Sequence, residues 1–593
     1  MPVSRIWRPA LVVGSVLACY QGVYHFPFQF DDNVFIVTNR AVTSSLDIGA
    51  VWANNPARFL TFLSLAINHQ LGGLDVSGYH VFNVAIHVIN SLLVLWLAGL
   101  IRDMNNRGAS RFDWPLATTL VFAVHPLQTQ AVTYIWQRNT SLAAMFYILS
   151  LGLYLTSARA GADSPKAAKR WLAASLVSAV AAMFTKQFSV TLPLAIVAAD
   201  YFFVSGSLAK LKERASRLAL FIPVFLVIPI LTALNMNEEV LHIGMRARNM
   251  ATPGEYLLTQ FNVIAMYLRL LVLPINQNLD YEIPLARALA DCWPSLILLM
   301  TIAGAGLAVI RRNRPAAFGV FFFFLALSVE SSFFPLEDMA FEHRMYLPMA
   351  GVLMAVFSVT AQGLGALSEK AGGKFVNFGA TAALVVITVA LGAATIQRNQ
   401  VWRTEDSLWK DVIGKSPGKA RGYVNLGVSL LRNGKTAEAK KLFEKAVALQ
   451  PEYPYGHFNL GVAWQVEGGH DQAIEALRRA VGVDPNMAEA HLALANSFFR
   501  KNLYMAAGPH YVAALNLRRD LTEAYINLGS VYLSLRRPAD AIKVYESLIR
   551  REPGNAEGVY NLGVARLMKG DKAEGMALIE QARLMGFAVP GGK

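Results

Sequence analysis

Two aspartates stand side by side at positions 31 and 32, in the run Phe28-Gln29-Phe30-Asp31-Asp32-Asn33, just past the first apolar stretch. Adjacent carboxylates repel each other and desolvate badly, and crossing a bilayer does not require them. Ionisable groups at a membrane edge are therefore functional candidates. Two carboxyls within about 4–6 Å raise one another's pKa, which moves one of them closer to neutrality. The blander reading is an Asx-type cap or turn ahead of the next helix.

Cations that could complement such an acid are Arg138, Lys186 and Arg344, each beside or inside an apolar run. A Lys or Arg at a helix centre costs roughly 2.5–3.5 kcal/mol on insertion scales, so these side chains are expected to face a cavity or the surface. Arg grips a phosphate with two parallel bonds, whereas Lys acts as a point charge. Simple anchoring of a span end is the competing role. His80, His87 and His125 fit no metal-ligand spacing and read as packing residues, so no metal site is expected. The two cysteines, Cys19 and Cys292, both sit near apolar runs and indicate neither a disulfide framework nor a thiolate site.

What must position these residues is a membrane body. The chain is 54% hydrophobic and only 16% charged, against about 25% charged in soluble domains. Apolar stretches occur near 9–25, 80–101, 114–124, 139–158, 171–185, 188–204, 218–235, 293–310, 316–333, 346–366 and 375–396, giving about eleven expected crossings. Arg5 and Arg8 precede the first, which has no small-x-small cleavage site after it and reads as a retained helix. A further stripe at 256–273, carrying Arg269 and ended by Pro274, is expected to lie flat at the interface. The net charge of +14 gathers in short loops, at 102–111, 159–170, 210–217, 311–314 and 370–374. This distribution argues against nucleic acid. With eleven alternating spans these loops share one side with Arg5 and Arg8, so the N-terminus is expected to be cytoplasmic. Asp31, Asp32 and everything after residue 396 then face outward. The outer face also collects His125 to Gln130, Tyr134, Gln137 to Asn139, Lys186, Asp200, Asp280 and Glu342 to Pro348.

From residue 420 the chain repeats every 34 residues, with units starting at Ala420, Pro454, Ala488, Thr522 and Ala556. Leu-Gly or Leu-Ala stands at the seventh and eighth positions. Alanine stands at the twentieth, as Ala439, Ala473, Ala507 and Ala541, with Ala573 read as a two-residue drift in the last unit. This is the tetratricopeptide pattern, in which small residues let two antiparallel helices touch. Asn425, Asn459, Asn527 and Asn561 occupy the sixth position of four units. Stacked on inner helices they could form a ladder of amides for an extended acceptor peptide, or serve helix packing alone. The expected domains are 1–397 (membrane), 398–419 (linker) and 420–593 (five repeats), making an all-α polytopic helix bundle followed by an α-solenoid.

Phe30-Asp31-Asp32, Gly78-Tyr79-His80 with Asn83 and His87, His125-Pro126 with Arg138, Lys186, Leu192-Pro193 and Arg344-Met345-Tyr346-Leu347-Pro348 occur in this order. The series resembles the transmembrane-and-tetratricopeptide proteins, glycosyltransferases of GT-C type, across essentially the whole chain. Gln130 and Asn139 depart from the animal members, which tend to have acids there. The resemblance implies transfer of a sugar, with inversion, from a polyprenyl-phosphate donor to Ser or Thr of a protein held by the repeats. Asp31 or Asp32 would be the base and Arg138, Lys186 and Arg344 the phosphate ligands. No cofactor is implied, although a diphosphate-linked donor would make a divalent ion more useful. A bacterial inner-membrane protein with periplasmic repeats is expected, or lumenal repeats in an endoplasmic reticulum. The alternative is a membrane-anchored tetratricopeptide scaffold for envelope or secretion assembly.

Overall fold

The computed structural model describes residues 6–105, 112–161, 163–231, 251–332, 334–371 and 373–588. Arg5, Arg107, Arg111 and positions 232–235 of the expected crossings lie outside these residues. Among the described residues there is helix and no strand. Two compact units are present, Met1–Asp411 and Val412–Lys593. The boundary falls within the helix Glu405–Lys415, in the stretch expected as linker.

In the first unit each of the eleven apolar segments carries a helix. Five are long and apolar enough to cross a membrane by length and composition: Val76–Asn105, Ile135–Ala160, Gln187–Ser205, Glu342–Glu369 and Gly373–Arg403. Trp7–Tyr20, Trp114–Val124, Ala215–Leu231, Trp293–Ala308 and Arg314–Leu327 are apolar but shorter. The helix Pro165–Met183 begins with Lys166, Lys169 and Arg170. Val385, Val386, Ile387 and Val389 on the last long helix are exposed, as a surface in contact with lipid chains would require.

Close packing in this unit uses small residues. A Cβ on Gly319 would lie 2.3 Å from the Gly351 carbonyl, and one on Gly351 would lie 2.6 Å from the Gly319 carbonyl. Such reciprocal contact lets two helix backbones approach without side chains between them. It pins Arg314–Leu327 against Tyr346–Ala371, and so brings together the loop ends that carry Glu330 and Arg344.

Three of the basic loops, at 102–111, 159–170 and 210–217, meet at one end of the bundle. Arg8 and Arg102 both reach Asp113, at 2.8 and 3.2 Å, and Arg159 reaches Asp103 at 3.7 Å. Arg217 donates to Ser157. Asp200 also belongs to this end, paired with Arg214 at 2.7 Å and hydrogen-bonded by Tyr154. The expected outward position of Asp200 is therefore corrected. It lies fourteen residues beyond Lys186 along one helical stretch, about 20 Å at 1.5 Å per residue.

The second unit is five antiparallel helix pairs, from Ala420–Arg432 with Thr436–Leu449 to Ala556–Lys569 with Lys572–Leu584. The eighth-position glycines sit where the two helices of a pair touch. A Cβ on Gly427, Gly461 or Gly529 would meet Phe443, Leu477 or Tyr545 within 2.6 Å. Ala439, Ala473, Ala507 and Ala541 are fully buried. The last unit needs no drift. Gly575 holds the twentieth position, with its Cα facing the Gly563 carbonyl, while Ala573 is exposed.

Candidate functional site

The acid pair lies between the first helix and the helix Phe59–Gly72, in a loop whose direction is set by Phe30. Phe30 takes a positive φ of 48°, a left-handed conformation that side-chain-bearing residues adopt rarely. Its ring lies 5.4 Å from Trp409 and 6.5 Å from Tyr134. After this turn the two acids part. Asp32 is fully buried, its Oδ2 accepting the Gln29 N–H at 2.8 Å and its Oδ1 the Trp136 N–H at 2.7 Å. Asp31 is half-buried and its N–H donates to the Tyr134 hydroxyl at 3.1 Å. Burial pushes Asp32 up to about 8, against its two backbone donors, with Asp31 adding to the rise and Arg138 opposing it. Tyr134 is raised well above its ordinary value by burial first and then by Asp31 and Asp32, so it stays a phenol.

Arg138 is buried and committed to the fold. Its Nε donates to Asn83 Oδ1 at 2.7 Å, one terminal nitrogen to Asn68 Oδ1 and the Ser64 carbonyl, and the other to the Tyr79 carbonyl at 3.0 Å. The expectation that it grips a donor phosphate is corrected. Four donors already serve the helices Phe59–Gly72 and Val76–Asn105, and no exposed edge is left to reach an incoming ligand.

Lys186 and Arg344 do come together. The Lys186 ammonium donates to Thr140 Oγ1 at 2.8 Å and pairs with Glu330 at 3.2 Å. Arg344 donates to the carbonyls of Met339 and Asp338 at 3.0 and 2.7 Å, and faces Glu330 electrostatically. Arg58 is the residue that sequence reasoning missed. The start of its neighbouring helix is tied to the residues before Lys186, by Leu60 N–H to the Phe184 carbonyl at 3.0 Å and Thr61 to the Thr185 carbonyl at 3.2 Å. Arg58 consequently faces Lys186 and Glu330. Its guanidinium also lies 5.5 Å from the Trp136 ring, and the Trp136 backbone N–H is the one that binds Asp32. Phe35 stacks on Trp136 at 4.1 Å. Trp136 thus touches both groups, with its backbone N–H on Asp32 and its ring beside Arg58.

The helix Pro253–Val272 holds the cation segment in place. Tyr256 donates to the Glu330 carbonyl at 2.7 Å, Gln260 to the Met339 carbonyl at 2.9 Å and Tyr267 to the Phe341 carbonyl at 2.9 Å. Glu342 is buried and turned to another task, accepting from Gln277, the Asn278 N–H and Tyr281. Gln130 accepts the His343 N–H at 2.7 Å.

The histidines serve packing. His80 meets the Phe26 carbonyl at 2.9 Å, His87 the Ala123 carbonyl and Tyr346 hydroxyl at 3.0 and 2.7 Å, and His125 the Leu271 carbonyl at 3.0 Å. No group of three or more His, Cys, Asp or Glu that could hold a metal occurs among the described residues.

On the repeats, Asn425, Asn459, Asn527 and Asn561 are all half-buried. Asn425 and Asn459 donate to the carbonyls four residues back, at 2.9 and 2.8 Å. Asn527 donates to Asn496 Oδ1 at 3.1 Å, which also accepts from Tyr511 at 2.6 Å. Asn496 stands one turn beyond Ala493, the residue that breaks the sixth-position series, and partly restores the row.

Tetratricopeptide-repeat family models match residues 420–453, 465–520 and 526–592. Mouse protein O-mannosyl-transferase TMTC4 is 26% identical, the match covering 73% of this chain and 65% of that protein. Human protein O-mannosyl-transferase TMTC3 is 24% identical over 94% of this chain and 65% of its own length. Protein O-mannosyl-transferase F38B6.6 of Caenorhabditis elegans is 24% identical over 74% and 61%. The chain thus spans 61–65% of the length of these curated relatives. Among solved structures, the crystal structure of MamA is 27% identical over 27% of this chain and 94% of its own, with a TM-score of 0.26. The relatives carry the family that the ordered motifs resembled, the transmembrane-and-tetratricopeptide protein O-mannosyl-transferases.

Proposed function

We propose that this chain is a membrane protein O-glycosyltransferase that moves a sugar from a polyprenyl-phosphate donor to Ser or Thr hydroxyls, with inversion. The observation that carries this reading is that one unit holds a half-exposed acid, Asp31, on the loop tied to Trp136, and holds Lys186 and Arg344 gathered about Glu330. The family of the relatives supports the same reaction class.

Asp31 is the base. A general base must come within hydrogen-bond reach of the proton it takes, and Asp31 is the half-exposed member of the pair. Asp32, fully buried and bonded to two backbone N–H groups, positions the loop. As the acceptor oxygen attacks the anomeric carbon, its proton passes to Asp31. The carbon–oxygen bond to the phosphate breaks, and the polyprenyl phosphate leaves as an anion. Lys186 and Arg344, joined by Arg58, stabilise the charge that develops on it. A sugar leaving on a phosphate departs as a stabilised anion and needs no acid partner, unlike a sugar leaving as an alcohol. With one phosphate to neutralise, no divalent ion is required, and chelation should leave the rate unchanged.

The bundle spans the membrane with the basic end in the cytoplasm and the site at the outer leaflet, where a lipid donor enters sideways. The repeats hold the acceptor protein along the row of Asn425, Asn459, Asn527 and Asn561.

The test is transfer from a polyprenyl-phosphate sugar to acceptor protein by full-length protein in nanodiscs. Asp31→Asn should slow transfer by about 10²–10⁴-fold with the melting temperature intact. Undiminished transfer by that variant would remove Asp31 from the reaction.

A further inference from the structure

The cation cluster contains an acid that the transfer reaction does not use. Glu330 lies three residues past the helix Arg314–Leu327, and its Oε1 is 3.2 Å from the Lys186 ammonium, the side chains being 14% and 7% exposed. Arg344 and Arg58 face the same carboxylate. The Tyr256 hydroxyl bonds the Glu330 carbonyl and fixes its backbone. Glu330 and Arg344 line one narrow cleft with Thr140, Phe188, His343 and Pro348, and Thr140 takes the other bond of Lys186. At 3.2 Å the carboxylate and the ammonium form a salt bridge.

The cleft as it stands is closed even to a water molecule, so a phosphate reaches Lys186 only by displacing the Glu330 carboxylate. Buried cations left without a partner are strongly unfavourable, so a phosphate site built from Lys186, Arg344 and Arg58 needs a counter-charge whenever no phosphate is present. We propose that Glu330 is the internal counter-ion of the donor-phosphate site, holding Lys186 while the site is empty and yielding it to the phosphate of a polyprenyl phosphate when one binds. This rests on the reading of Lys186 and Arg344 as phosphate ligands.

The arrangement has a kinetic consequence. The released monoester carries more charge than the donor diester and gains more from Lys186. By competing for that ammonium, Glu330 shortens the stay of the product. It is a positioning residue rather than a catalytic one, since it acts through Lys186.

The experiment measures binding of a short-chain polyprenyl monophosphate to full-length protein in nanodiscs, with steady-state transfer alongside. Glu330→Gln should bind the probe about tenfold tighter, because the competing charge is gone. It should also lower KM and kcat together, as product release slows. Glu330→Asp keeps the charge on a shorter arm and should bind about two- to threefold tighter with the fold undisturbed. It decides the matter if the glutamine variant does not fold. Equal or weaker binding by the folded variants overturns the counter-ion role. Failure of the unaltered protein to bind the probe overturns the donor-phosphate reading itself.

Discussion

Asparagine at position 32 would keep the shape of Asp32 and exchange one acceptor oxygen for an NH2 group. Asp32 receives the Gln29 N–H on one oxygen and the Trp136 N–H on the other, at 2.8 and 2.7 Å, with no exposed surface. Whichever way the amide sits, one backbone N–H then meets a donor and loses its partner. A buried donor left unsatisfied costs about 1–3 kcal/mol. The size of the loss depends on pH, because burial pushes Asp32 up to about 8. In the unfolded chain the group loses its proton near its ordinary value of about 4. Between about pH 4 and 8 the folded protein therefore holds one more proton, and stability falls as pH rises, by at most about 1.4 kcal/mol per unit. Asparagine does not titrate. The variant should be clearly less stable than the unaltered protein at pH 5, and the gap should close before pH 8, because up to about 1.4 kcal/mol per unit over three units exceeds it. Thermal unfolding of full-length protein in nanodiscs, followed at four pH values by tryptophan fluorescence, measures this. A gap that does not change with pH, or no gap at pH 5, would refute the assignment of Asp32 as a buried, raised carboxyl.

Arg138→Lys should lower the melting temperature by the equivalent of about 3 kcal/mol or more, because one ammonium cannot reach acceptors on both neighbouring helices. Near-normal stability would show that the four bonds of Arg138 are dispensable. In the repeats, Gly529→Ala places a Cβ 2.2 Å from the Tyr545 ring and should cost about 1–3 kcal/mol. Gly482→Ala, with open space around it, should be neutral or stabilising by up to about 1 kcal/mol; calorimetry of both variants compares the two sites. Replacing Asn425, Asn459, Asn527 and Asn561 together by alanine should weaken acceptor binding at least about tenfold without altering hydrolysis of the lipid donor. Unchanged binding in a pull-down of acceptor protein would return these amides to helix packing.

The repeats were legible because their period is short and their contact residues are small by necessity. The one slip, at Ala573, arose from expecting alanine where Gly575 does the same work with still less bulk. The apolar segments were equally readable as helices, since composition alone marks them. The site was readable only in part. Asp31, Asp32, Lys186 and Arg344 stood out as charges beside apolar runs. Arg58 and Glu330 stand in loops whose pattern carries no periodic signal. Arg138 looked the same as Lys186 in sequence, and its partners Asn68 and Asn83 lie 70 and 55 residues away. Asp200 went to the wrong end because the pattern of one helical stretch does not say which of its polar residues belongs to which mouth.

The left-handed turn at Phe30 has a consequence for Asp31. A phenylalanine there holds a posture that the peptide chain would abandon if left alone, at a cost of roughly 1–2 kcal/mol. The rings of Tyr134 and Trp409 are what lean against it. The aim of the Asp31 carboxylate, the proposed base, is thus borrowed from aromatic neighbours more than 100 residues away. Trimming either ring would let the loop relax and redirect Asp31, disarming the proposed base while leaving every atom of it intact.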